Sequence, residues 1–511
     1  MPIRMTGMVS GLDTDSIVKE LVSAYSTKKE KYEKEQTKLG WKQEIWKDLN
    51  KEVNTFYKSV GNLRFDSGYN TKKTTSSDST KATVSASGNA TVGTQKLHVL
   101  STAQSGYLTG AEIKTAANEK VTTSTKLSDL GVTADEITFN VGPANNSASG
   151  TTKQIKVGKD STISDVVNQL KDAGLNANFD AGNRRFYLSS SDSGYATDFN
   201  ITADSSDTNS TTLLNALGLI DGSDAVIVLN GVKYTSTTNN FSINGLSISV
   251  NGVTDKVDDL EKVDVDALDD SKAVSISTTT DTQGIYDKIK DFLTSYNNII
   301  NKMTKLYNAD SAKNYEPLTD DEKSQMSDSE VEKWETKIKD SLLRRDSNLS
   351  TIMNAMTTSM TKAISINGKN YSLSSFGIST LGYMNAAENE QNAYHIDGDE
   401  DDENTSGNKD KLMAALSSDP DTVIDFMKQL STNLYTAIDK QMQSNSLRSR
   451  YSIYNDKEMT SQYTSYTKTI AEWETKISDK EDYYYKKFSK MEIALSKLNS
   501  QTSSLSGMFS S

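Results

Sequence analysis

The chain has 511 residues, a formal net charge of -13 and no cysteine. The acidity argues against a nucleic-acid binder, which needs a clustered basic surface against phosphate. The missing thiols exclude disulfides, thiolate metal sites and cysteine nucleophiles. Only 35% of residues are hydrophobic, so a chain this long is expected to build several small cores, roughly three or four domains, and not one large interior.

From Ile17 to Phe65 there is no proline, and from Leu21 the spacing alternates four and three: Leu21, Tyr25, Lys28, Tyr32, Glu35, Leu39, Lys42, Trp46, Leu49, Val53, Phe56, Val60, Leu63. Ten of these thirteen positions are apolar or aromatic, the pattern of a coiled-coil seam. Lys28, Glu35 and Lys42 read as polar breaks that loosen the pairing. Two glycines, Gly7 and Gly11, precede the helix, and Asp13, Thr14 or Asp15 can cap it. Such a helix has no core of its own and requires a partner. Met1–Thr14 lacks the charged start and continuous apolar core of a secretory signal, so an extracellular protein with this start is expected to leave without a cleaved signal peptide. No window approaches the roughly 18 apolar residues of a membrane span.

Residues 66 to 95 are rich in Thr, Ser, Lys and Gly, and β patterns follow to about residue 280. Lys96–Leu100, Ile137–Val141, Gln154–Val157, Arg185–Leu188, Ala225–Leu229, Leu246–Val250 and Ala273–Ser277 are short and β-branched, with turn residues between them. One helix interrupts them, with Ile163, Val166, Val167 and Leu170 on one face and a capping box from Thr162 to Asp165. Two small β-rich domains are expected here, one inserted in the other. Helical spacing returns from Ile285 to Leu306. Capping boxes at Thr319/Glu322 and Ser327/Glu330 follow, then a helix near Leu349–Met356, a β segment through Tyr371–Ile378, and Asp419-Pro420 opening a helix to Leu434. A last stripe runs Met459, Tyr463, Tyr466, Ile470, Trp473, Ile477, Glu481, Tyr484, Phe488, Met491, Leu495, Leu498, Thr502, Leu505, with an extra four-residue step at Ile477–Glu481. Such a stutter unwinds a coil locally and leaves it continuous. This stripe is the expected partner of the first helix. The fold class is therefore α+β multidomain, with long terminal helices forming a coiled-coil or helical-bundle leg around an inserted β-rich two-domain head.

Chemistry-bearing motifs are sparse. His98 and His395 lie far apart in sequence, and there is no zinc, phosphate-loop or nucleophile-elbow motif. The acidic run Asp397–Asn404 imitates a calcium loop, but Asp402 stands where glycine is required and Asn408 where a bidentate glutamate belongs. The reading is no catalytic residue, no cofactor and no metal.

Ser10-Gly11-Leu12-Asp13-Thr14-Asp15-Ser16-Ile17-Val18, leading into a long helix, resembles the start of the flagellar filament cap (hook-associated protein 2) family. Tyr315–Asp346, Phe376-Gly377-Ile378 and Lys411-Leu412 through Asp419–Val423 agree with it in the same order. Thr138–Phe199 resembles an insertion motif of flagellins and hook-associated proteins. The resemblance implies a ring of copies at the distal end of the bacterial flagellum that holds incoming flagellin until it folds, with export through the flagellar apparatus. Implied partners are the protein itself, flagellin, hook-associated junction proteins and an export chaperone, with no nucleic acid and no membrane. Implied filament or self-assembly contacts are Ser10, Gly11, Leu12, Asp13, Ile17, Leu21, Leu39, Trp46, Leu49 and Phe56, with Trp473, Ile477, Phe488, Met491, Leu495, Leu498 and Leu505. The expected division is 1–45 terminal segment and helix, 46–70 leg helix, 71–108 and 225–280 one head domain, 109–224 the inserted head domain, 281–450 helical leg, and 451–511 C-terminal helix. Alternative readings are another axial junction protein, which the Tyr315–Asp346 signature argues against, and an adhesin using the β-rich head.

Overall fold

Trp46, Leu49, Val53, Phe56 and Val60 recur every three or four residues, and in the computed structural model each is almost completely buried. The structure describes residues 9–115, 120–144, 151–203 and 217–509. The glycine-flanked start expected from Met5 is therefore described only from Val9, and 145–150 of the Thr138–Phe199 stretch lie outside the described residues. The chain separates into two units, Met1–Tyr69 with Thr282–Ser511, and Asn70–Asp281.

In the first unit the N-terminal helix spans Thr14–Asn62. Asp13 caps it, its carboxylate accepting the Ser16 N–H at 3.1 Å, which satisfies one of the donors a helix start leaves without a partner. The helix therefore begins three residues before Ile17 and stops short of Phe65. Its buried stripe packs against the helix Thr282–Asn308, through Ile285, Ile289, Phe292, Tyr296 and Met303, and against the helix Pro420–Gln441, through Phe426, Leu430 and Leu434. Phe56 stacks on Phe292 with centroids 6.0 Å apart, and Tyr57 on Tyr435 at 4.3 Å. The second helix begins as its sequence dictates, with Asp419 accepting the Thr422 N–H and Pro420 in the first turn. The helix Ser347–Met360 and a hairpin, Ile364–Ile366 with Lys369–Tyr371, close the core. The β segment expected through Tyr371–Ile378 is interrupted in its middle: Tyr371 ends one strand, Leu373–Phe376 is a 3-10 turn, and Ile378–Ser379 pairs with His395–Ile396.

The C-terminal helix, Asp456–Phe509, lies antiparallel to the N-terminal one. Trp46 stacks on Tyr454 at 5.3 Å, Tyr32 meets Tyr466 and Tyr25 meets Trp473, both at 6.3 Å. Half-buried positions on this helix step by four from Trp473 to Ile477 to Glu481, then return to the three-four alternation.

The first seam holds at Tyr25 and Tyr32, which face the C-terminal helix, but not at Leu21. Leu21 is 42% exposed, whereas Val18 and Val22 are buried. The three polar positions of the seam have partners. Lys42 pairs with Asp346 at 2.7 Å and Glu35 with Lys38 at 3.1 Å, while Lys28 lies over the Trp473 ring. Of the three, Lys28 alone meets the C-terminal helix through these contacts.

Among the described residues the second unit has two large cores and a small third cluster of Leu100, Val226 and Val228. One lies between a five-stranded antiparallel sheet, ordered Lys72–Ser76, Val274–Thr280, Gly93–Ser101, Ala225–Leu229, Val232–Ser236, and a three-stranded sheet, Asn240–Ile243, Leu246–Val250, Ala82–Ala86. The chain leaves the first sheet after Ser101, builds the second core and returns at Ala225. That core combines the four-stranded sheet Leu217–Ile220, Tyr107–Gly110, Arg185–Ser189, Asn176–Asp180 with the three-stranded sheet Lys153–Val157, Ile137–Pro143, Phe199–Ala203, and the helix Ile163–Asp172. Thr162 and Asp165 form the capping box of that helix. The architecture is α+β and multidomain.

Candidate functional site

The residues named as assembly contacts fall into three groups. Trp46, Leu49 and Phe56 lie in the core of the first unit, where their contacts are within the chain. Ile17, Leu39, Trp473, Ile477, Phe488, Met491 and Leu495 are half-buried on the two terminal helices. Leu12, Leu21, Leu498 and Leu505 are exposed, the last two at 57% and 54%.

The structure brings the chain start and the far part of the C-terminal helix together. Glu492 accepts the Val9 N–H at 2.9 Å, the Ser10 N–H at 3.3 Å and the Ser10 hydroxyl. The Ser10 hydroxyl, with these two backbone donors, holds the Glu492 carboxyl below its ordinary range against the opposing effect of burial. About two turns earlier on the C-terminal helix, the Tyr485 hydroxyl donates to Asp15 at 2.8 Å. Gly11 has φ +69°, the left-handed region that favours glycine, and so lets Ser10 turn toward Glu492 before Asp13 starts the helix. Beyond Glu492 the C-terminal helix continues to Phe509 and presents Ile493, Leu498 and Leu505 to solvent. Glu492 was not among the expected contacts. Its signal in the sequence is a carboxylate placed between Met491 and Leu495 in an apolar stripe.

A second constellation fastens the N-terminal helix at mid-length. Lys34 pairs with Glu322 at 3.3 Å, Lys38 with Glu316 at 2.6 Å and Lys42 with Asp346. The spacing of four places all three lysines on one helix face. The segment that meets them is braced by Tyr315 against Trp334, centroids 4.5 Å apart, and by the Trp334 indole donating to the Glu316 carbonyl at 2.8 Å.

Both histidines and the acidic loop are engaged within the chain. His98 is buried in its strand with Nδ1 2.8 Å from Asp255. In the acidic loop, Lys290 binds Asp399 and Asp401, both at 2.6 Å, Lys411 binds Asp397, and His395 meets Asp402. Burial opposes the charge on Lys290, but the two carboxylates outweigh it and hold the ammonium above its ordinary range. Among the described residues no three acidic, histidine or cysteine side chains are grouped to hold a metal ion, and no helix is long and apolar enough to cross a membrane.

Two family descriptions match the chain: "Flagellar hook-associated protein 2 N-terminus" over residues 10–106 and "Flagellar hook-associated protein 2 C-terminus" over residues 222–500, the latter more than half its length. The chain belongs to the flagellar hook-associated protein 2 family. Within that family it is 23% identical to the protein of that name from Halalkalibacterium halodurans, covering 99% of this chain and 100% of the relative. It is 24% identical to the one from Thermotoga maritima over 69% of this chain and 53% of the relative. A solved structure of the Escherichia coli flagellar cap protein FliD, domains D1-D2-D3, is 18% identical over 77% of this chain and 95% of that chain, with a TM-score of 0.45. The terminal pairing at Ser10 and Glu492 falls inside the matched segments of the hook-associated protein 2 family, and the acidic loop lies within the C-terminal one.

Proposed function

We propose that this chain is a structural cap at the distal end of the bacterial flagellar filament, where a ring of copies helps exported flagellin fold and join the filament. The observation that carries this reading is the terminal helix pair, closed by Glu492 on Val9 and Ser10, with the apolar end of the C-terminal helix left outside the closure. A tied foot with exposed Leu498 and Leu505 fits a part that seats on other axial subunits. The work proposed is binding and rearrangement and not catalysis, and it needs no cofactor.

The proposed division is 1–45 and 451–511 as the terminal part, 46–70 with 281–450 as the leg, 71–108 with 225–280 as one head domain and 109–224 as the inserted one. The proposed filament and self contacts are the half-buried and exposed members of the set above, from Ser10 to Leu39 and from Trp473 to Leu505, with Trp46, Leu49 and Phe56 keeping the leg rigid. The proposed partners are further copies of the chain, flagellin, the junction proteins beneath it and an export chaperone. The proposed location is extracellular, reached without a cleaved signal peptide.

Light scattering of the concentrated full-length protein, with filament growth after deletion of residues 490–511, tests this. Self-association and arrested growth are expected; a protein that stays monomeric while the deletion leaves growth normal overturns the reading.

A further inference from the structure

Among the described residues, the large hydrophobic side chains most open to solvent are Tyr383, 82% exposed, and Met384, 89% exposed; the next is Leu498 at 57%. They sit side by side at the tip of the loop 380–394, in the first unit. Single exposed apolar residues are ordinary on a protein surface, but two adjacent ones this open, on a fixed support, are not explained by the packing of the loop.

The support is fixed by named contacts. Gly382 has φ +77°, which turns the chain at the tip. Its carbonyl accepts the N–H of Asn385 at 3.2 Å and of Ala386 at 3.0 Å, while the Asn385 side chain donates to the Leu381 carbonyl. At the base, Asn297 on the helix Thr282–Asn308 both donates to the Tyr394 carbonyl and accepts the Tyr394 N–H, each at 2.8 Å. Asn308 donates to Asn389 at 3.1 Å, and Tyr394 packs on Tyr296 with centroids 5.8 Å apart. A turn held in this way offers its tip without an ordering cost on binding. Around the tip the loop is polar: Thr380, Asn385, Glu388, Asn389, Glu390 and Gln391. An apolar centre inside a polar rim is the make-up of a binding anchor.

We propose that Tyr383 and Met384 form an anchor for an apolar segment of an incoming axial subunit that has not yet folded, an inference that rests on the capping function proposed above. Size selects this occupant over a second copy. Two such side chains offer roughly 400 Å² at most, about half of the roughly 800 Å² that each partner gives to a standing interface. The pair therefore suits a contact made and released. Chemistry agrees with this choice. The methionine side chain is unbranched and polarisable and adapts to differently shaped apolar partners, and the tyrosine adds a rigid ring with a polar end.

The test uses the full-length protein and flagellin diluted from denaturant, with binding followed by fluorescence anisotropy. The double variant Tyr383→Ser/Met384→Ser is expected to keep the wild-type oligomer mass and melting temperature and to bind unfolded flagellin at least ten-fold more weakly. Tyr383→Phe/Met384→Leu is expected to bind as the wild type does. Unchanged affinity in the serine variant overturns the proposal. So does a loss of oligomer mass, which would assign the pair to a contact between copies. Attachment to filament ends is scored separately: a serine variant that attaches but no longer binds unfolded flagellin supports the anchor, and one that attaches and still binds removes the anchor alone. A wild-type protein that never attaches counts against capping, while the anisotropy still decides the anchor.

Discussion

Glu492 is one carboxylate on a long helix, yet three donors from Val9 and Ser10 converge on it. Because its folded pKa lies below the ordinary 4.5, the closure is complete above that pH and is lost as pH falls through the depressed value. Hydrogen exchange at the Val9 and Ser10 amides is expected to quicken there relative to amides in Trp46–Val60, and to be quick already at pH 7 in Glu492→Ala. Equal protection in wild type and variant would show that the contact does not hold the chain start. Asp198 has the opposite sign. It is buried, accepts the Gly222 N–H, and burial with Asp221 and Asp224 nearby pushes its carboxyl up. Its stabilising contribution is present below the unfolded pKa and fades as pH rises through the folded one. Asp198→Asn keeps an acceptor without the charge, so calorimetry should find the variant more stable than wild type at pH 7.5, with the gap closing at pH 4. At this scale the caps were legible in the sequence because they are local: Asp13 reaches Ser16, and Thr162 reaches Asp165. Glu492 was not, since its partners lie more than 480 residues away.

Among the elements, the N-terminal helix is a core helix in its second half and one member of a pair in its first. Phe56→Ala removes a ring stacked on Phe292 and faced by Tyr296, and is expected to cost about 3–5 kcal/mol in denaturant unfolding of the first unit. Leu21→Ala, at an exposed site, is expected to stay within about 0.5 kcal/mol. The contrast checks the face at the helix start, where the alternation points to Leu21 and the structure buries Val18 and Val22. Of the ion-pair face Lys34, Lys38 and Lys42, only Lys42 lies in the seam, where a lysine reads as a break until the opposing carboxylate is placed. Asp346 has two duties, pairing with Lys42 and accepting the Asn348 and Leu349 N–H groups at the start of the next helix. Asp346→Ala is expected to cost about 1–2 kcal/mol, and Lys42→Met under about 1 kcal/mol because the pair is half-exposed. Equal costs in unfolding experiments would contradict that division.

For the whole molecule, the sequence made both terminal helices, their pairing and the β-rich middle legible, because period 3.5 and period 2 patterns are carried by the residues themselves. Which strand pairs with which was not legible. Val274–Thr280 lies between Lys72–Ser76 and Gly93–Ser101, a register set by burial across some two hundred residues of chain. The proposed function rests on the same kind of long-range feature, the pairing of Val9 and Ser10 with Glu492. Electron microscopy of filament ends, from cells with the protein, without it, and with Leu498→Glu/Leu505→Glu in a chain shown to be folded, tests that claim most directly. Capped, growing filaments are predicted only with the wild-type chain, and bare ends with flagellin lost to the medium in the other two cases. Filaments of normal length with bare ends in the absence of the protein would contradict the account.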